Sequence, residues 1–182
     1  MHAIYDDYSM TLCEKQRQGI RMIHSTKLEE TVLWKAYQEK AVSQSTRVSW
    51  VKEVCEAAMK YMMDVRQTFQ NYTLHDGTHI INVLDAMGGL LGDQVYQLTT
   101  GEMELLILAS SLHDLGMVYT EEEKRRYYND AEACGKFLRE YCPEYLDCPA
   151  EDWTEDIRQW YLRTLHPFRI PEVLQNEAWK GL

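Results

Sequence analysis

Residues 105–112 read Leu-Leu-Ile-Leu-Ala-Ser-Ser-Leu, and nothing in the run forms a polar face wider than two serines. A helix that is apolar nearly all round belongs in the middle of a core. The run therefore predicts a central buried helix with its neighbours wrapped about it. Thr99-Thr-Gly-Glu102 supplies a capping box at its start and Gly116 a stop. Just ahead of that stop stand His113 and Asp114. Any account of the chain has to accommodate this ionisable pair, because a buried charge is expensive unless it is paired or metal-bound.

The rest of the chain is also patterned for helices. Val51, Cys55, Ala58, Met62, Val65 and Phe69 recur at spacings of 4, 3, 4, 3 and 4, which keeps them on one stripe that packs against the central helix. Thr26-Lys-Leu-Glu29 reads as a capping box opening a short helix to about Val42, with Leu28, Val32 and Ala36 on one face. A further helix starts near His75 or Asp76. It carries His79, Val83, Ala86 and Leu90 on one face, with Ile80, Leu84, Met87 and Leu91 beside them, and Gly92 ends it. Glu121–Tyr141 reads as one helix, its acidic opening suited to the helix dipole. A loop with two prolines follows, then a last helix from Asp152 to Leu165 that Pro167 ends just after His166. No segment shows a strand's alternation. The expectation is an all-α fold, a single compact helical domain of five to seven helices, with residues 1–45 as an N-terminal helical extension and 46–182 as the main body.

Composition narrows the partners. The net charge of −10 and pI near 5.1 disfavour a nucleic-acid polymer or an anionic membrane, since binding those takes Lys and Arg. A small phosphorylated substrate held by a metal is not excluded. The five cysteines form no CxxC pair and read as reduced thiols. The chain has neither a basic start followed by an apolar run nor a stretch of about 20 apolar residues. A cytoplasmic protein without a membrane partner is expected. No GxxxxGK[ST], GxGxxG or GxSxG motif occurs.

Two segments carry chemistry. In His75-Asp-Gly-Thr-His79 the histidines stand at i and i+4; if the helix begins at Asp76, His75 sits at its mouth and His79 one turn in. His113 and Asp114 are adjacent, and adjacent helical side chains point about 100° apart, so they converge only where the backbone leaves the helix. Imidazole with carboxylate suits a divalent ion such as Mn, Fe, Ni, Zn or Mg. Plainer readings stand beside these. His79 can be a hydrogen-bonded core residue, Asp114 a solvent-facing helix end, and His166 a helix-terminal histidine favoured by the dipole.

His79, then His113-Asp114 ending a hydrophobic helix 34 positions later, resembles the signature of HD-superfamily metal-dependent phosphohydrolases, and LLILASSLHDLGM is similar to that family's central helix. His75-x-x-x-His79 is similar to the opening of its cyclic-nucleotide phosphodiesterase branch. The resemblance covers roughly residues 50–166 and makes 46–182 an HD-like domain. It implies hydrolysis of a phosphoester in a nucleotide or small signalling molecule. His79, His113 and Asp114 then become metal ligands, and Asp114 also orients the attacking water. His75 becomes the proton donor, and His166 a supplementary ligand or phosphate contact. Arg163 followed by His166 resembles HD domains found beside chaperone-type ATPases, which adds an ATPase to the candidate partners along with a second copy of the chain. One departure stands out: no Asp follows Asp156, where the family has a distal ligand. Asp130, Asp147, Asp152 and Asp156 all fall short of that place. The departure leaves a rival, a catalytically degenerate HD-like module binding a nucleotide or a protein.

Overall fold

The structure, a computed structural model, describes residues 25–69, 77–175 and 179. Within them the chain forms seven α-helices and no strand. These are α1 (Val32–Lys40), α2 (Ser45–Tyr61), α3 (Gly77–Leu91), α4 (Thr100–Leu112), α5 (Glu121–Tyr128), α6 (Ala131–Tyr141) and α7 (Glu155–Leu174), joined by short 3₁₀ turns. One hydrophobic core extends from Leu28 to Val173, as expected of a single all-α domain. No helix among the described residues is long and apolar enough to cross a membrane.

The 51–69 stripe is buried along its whole length. α2 packs against α4, and Ser111 Oγ lies 3.2 Å from Cys55 Sγ across that contact. The two serines that interrupt the apolar run satisfy themselves. Ser110 and Ser111 donate to the carbonyls of Leu106 and Ile107, at 2.7 and 2.9 Å, so they enter the core without an unmet hydroxyl. The capping box at Thr99 and Glu102 forms as read. Burial all round does not. Met103, Ile107, Ser110 and Ser111 are buried, but Leu105 is 68% exposed. The helices α1, α2 and α3 cover the other sides of α4, and among the described residues no element of comparable contact covers the Leu105 side.

α3 turns Ile80, Ile81, Leu84 and Gly88 inward and leaves Ala86 and Leu90 outside. A Cβ at position 88 would stand 3.1 Å from that of Val32, so the glycine lets α1 lie close. Gly92 takes φ +50° and ends the helix, the left-handed turn a glycine adopts without strain.

Three other expectations shift. Thr26 pairs with Glu30 rather than Glu29, and α1 is capped instead by Thr31, whose hydroxyl accepts from Trp34 N at 3.3 Å. Its inward face is Leu33, Trp34, Ala36 and Tyr37, all fully buried and part of the common core. The 121–141 segment is two helices. Asn129 closes α5 and Asp130 caps α6 by accepting from Ala133 N at 3.0 Å; Asx residues favour such caps over helix interiors. Finally, α7 does not end at Pro167 but runs through Pro167 and Pro171 to Leu174.

Trp34 fills the fully buried centre of the α1 contact. Trp34→Ala should lower unfolding free energy by about 3–5 kcal/mol, read from urea unfolding. A loss under about 1 kcal/mol would mean that α1 is not part of the folded core.

Candidate metal centre

α4 delivers His113 at its C-cap in helical geometry (φ −62°, ψ −29°), while Asp114 (φ −106°, ψ 5°) has left the helix for a 3₁₀ turn over Leu115–Met117. The departure lets two adjacent side chains converge. His113 Nε2 lies 3.0 Å from Asp114 Oδ2. His79, near the start of α3, brings its Nε2 to 3.3 Å from the same oxygen and 3.4 Å from His113 Nε2. Each of the three offers a ligand atom within 4.8 Å of the others. From α7, His166 Nε2 approaches the second oxygen, Asp114 Oδ1, to 3.6 Å. Asp114 is 7% exposed and faces imidazoles on both sides. His75 lies outside the described residues.

Hydrogen bonds behind the rings fix which nitrogen faces the site. A carbonyl can only accept, so the 2.8 Å contact of His113 Nδ1 with Ser110 O puts a hydrogen on Nδ1. In the neutral ring the lone pair is then on Nε2, toward Asp114. His166 repeats the arrangement, with Nδ1 2.6 Å from Arg163 O. The hydrogen bond that Asp114 accepts from the His113 ring raises the His113 pKa against the opposing effect of burial: the carboxylate stabilises positive charge at this point. A carboxylate so buried calls for cationic compensation, from protons or from an ion. The donors fit a divalent metal. Nitrogen ligands about 2.1 Å from a tetrahedral ion stand about 3.4 Å apart, which matches the observed separation of His79 and His113, and imidazole with carboxylate is a borderline-ion set.

The approach of α7 depends on Gly116, expected only as a helix stop, and on Arg169, which has no signature in the sequence. A Cβ on Gly116 would fall 2.0 Å from the carbonyl oxygen of His166, so the glycine serves close contact between the turn after Asp114 and the backbone of α7. Arg169, 2% exposed, donates to the carbonyls of Gly116 and Val118 and, at 2.5 Å, to Glu123 Oε1. Its guanidinium lies 3.7 Å over the Tyr119 ring. Nothing in the sequence distinguishes Arg169 from a surface arginine; only the fold shows it inside. Asp130, weighed as a substitute ligand, is spent on the α6 cap.

The family model named HD-CE matches residues 69–182, a span that contains His79, His113, Asp114 and His166. The chain belongs to the HD-CE family. No curated protein and no solved structure matches it. Within this HD-CE domain the His-Asp pair terminates an apolar helix, as the resemblance implies, and Asp114 is the sole carboxylate of the cluster among the described residues.

Gly116→Ala should force the turn and α7 apart. The expected cost is about 1–3 kcal/mol, as for overpacking, visible as a lowered thermal midpoint; an unchanged midpoint would show that the contact is slack. Acid should act through Glu123. Burial pushes its carboxyl up, but the Thr120 amide and hydroxyl and the Arg169 charge together hold it below the usual range. A depressed folded pKa gives stability that is present above the unfolded value of about 4.3 and lost as pH falls through the folded one. Wild type should therefore lose more stability below about pH 4.3 than Glu123→Gln does, as followed by circular dichroism. Parallel acid curves would refute the pairing.

Proposed function

We propose that this HD-CE chain is a metal-dependent phosphohydrolase that cleaves a phosphoester in a nucleotide or small signalling molecule. One observation carries the reading: His79 Nε2, His113 Nε2 and Asp114 Oδ2 meet at pairwise separations of 3.0–3.4 Å. A divalent ion bound by this set, whether Mn, Fe, Ni, Zn or Mg, would lower the pKa of a water and polarise a phosphoryl oxygen. The protein's own part is orientation. The Ser110 carbonyl holds the His113 ring with its Nε2 toward the site. Asp114 accepts through Oδ2 on the His79 side, and its Oδ1 orients the attacking water or bridges toward His166. His166 acts as a supplementary ligand or a phosphate contact. His75, two positions ahead of the described start of α3, donates the proton to the leaving oxygen, a role for which an imidazole near neutral pKa is suited. The excess of acidic residues leaves neutralisation of the substrate's charge to the ion and these imidazoles.

A second reading has an observation of its own. With Asp114 the sole carboxylate of the cluster among the described residues, the site has no counterpart of the family's distal aspartate. A catalytically degenerate HD-like module, holding a nucleotide or docking a partner such as an ATPase or a second copy, would retain this geometry without turnover.

Protein purified without chelator should contain a divalent metal by elemental analysis, and His113→Ala should lose both metal and activity. His75→Ala should lower turnover about 10²–10⁴-fold while keeping its metal. Metal-replete protein that cleaves no nucleotide, cyclic nucleotide or generic phosphodiester, yet still binds metal, would favour the binding module. Absence of metal from wild type after incubation with each candidate ion would defeat both.

A further inference from the structure

In a regular helix the amide of residue 167 bonds the carbonyl of residue 163, but a proline has no amide hydrogen. At Pro167, inside α7, that hydrogen is replaced. Arg163 O accepts instead from His166 Nδ1, at 2.6 Å. We propose that Pro167 is a positioning residue for His166: by removing the competing backbone donor it ties Nδ1 to the helix and orients the ring with Nε2 toward Asp114 Oδ1, 3.6 Å away.

The other end of the site supports the same logic. His113 Nδ1 bonds Ser110 O at 2.8 Å. The residue whose amide would serve that carbonyl in a continuing helix is Asp114, which has turned out of helical geometry. In both cases a histidine captures the carbonyl three residues before it, at a point where the regular bond from four residues on is removed. At His113 the helix ends to achieve this. At His166 the helix has to continue, because Arg169, one turn further on, clamps the carbonyls of Gly116 and Val118 behind Asp114. A proline is the residue that withdraws one amide while leaving α7 helical to Leu174. Pro171, the other proline in α7, has no histidine before it and makes the natural control.

The orientation of His166 is a property of the metal-free protein, and its consequence for an ion rests on the metal reading given above. The test separates the two. Nitrogen NMR of uniformly labelled, metal-free protein reports whether His166 Nδ1 carries a hydrogen. Wild type and Pro171→Ala should show that hydrogen on His166 Nδ1. Pro167→Ala should show a mixture of rings with and without it, because the new amide takes the Arg163 carbonyl. Its thermal midpoint should not fall, alanine being the better helix former. Titration with Co(II) should give an affinity about 10–100-fold weaker for Pro167→Ala, the usual effect of removing a group that orients a ligand, and wild-type affinity for Pro171→Ala. A Pro167→Ala protein in which every His166 ring keeps its Nδ1 hydrogen overturns the proposal. So does one that melts well below wild type, since the proline would then be serving the fold. If wild type binds no Co(II), the metal reading fails, and the Nδ1 measurement still decides the role of Pro167.

Discussion

The buried carboxylate of Asp114 is the constraint around which this domain is arranged. Turned inward just past the end of the apolar helix α4 and 7% exposed, it cannot rely on water to stabilise its charge. What surrounds it comes from three separate helices: His113 from α4, His79 from α3 and His166 from α7. The local turn is closed from behind as well, since Met117 N bonds Asp114 O at 2.8 Å. The packing of α3 and α7 on α4 is therefore also the means by which one anion acquires its partners, and fold and site are hard to separate energetically.

A second buried ion reinforces the first from the opposite side. Arg169 lies under the turn that follows Asp114, sharing its donors between two backbone carbonyls and Glu123. An arginine suits this position because its planar fork can serve several acceptors while its face stacks on Tyr119. The guanidinium holds the turn to α7, and Gly116 removes the side chain that would keep the two backbones apart. Both residues act on geometry: they set how near His166 stands to Asp114.

Much of this was legible in the sequence, for reasons that differ by residue. The 51–69 stripe was readable because its spacing follows the helical period and its residues are all buried. The Thr99 capping box and the Gly92 stop are local signals with local causes. The convergence of His79 with His113-Asp114 followed from a resemblance, which supplied what spacing alone does not. What escaped was tertiary. The break at Asn129-Asp130 hid because the apolar period carries across it. The exposure of Leu105 is hidden because a lone helix does not reveal how many neighbours it will have. The path of α7 is hidden because Pro167 is a stop signal by propensity, and propensity yields where tertiary contacts hold the helix on both sides of the proline. Arg169 and the close contact at Gly116 have no signature short of the fold itself.

Where local rules are broken is itself informative. Over much of the described residues the elements agree with their sequence: the caps at Thr31, Thr99, Thr120, Asp130 and Thr154 are served, Ser110 and Ser111 satisfy themselves, and the 51–69 stripe faces inward. Three of the exceptions gather about one place. An interior proline, which costs a helix about 3 kcal/mol, follows His166. A carboxylate is buried among imidazoles, and an arginine is buried with its Nε lacking a hydrogen-bond partner. Each is unfavourable taken alone, and stability would be better served by an alanine, a leucine and a methionine. Sequences that fold well are locally consistent except where something besides stability fixes the residue. The three exceptions share one geometrical effect: they set the side chains that face Asp114 and the backbone behind it. That coincidence fits the site proposed at Asp114, since geometry there is what the three residues have in common.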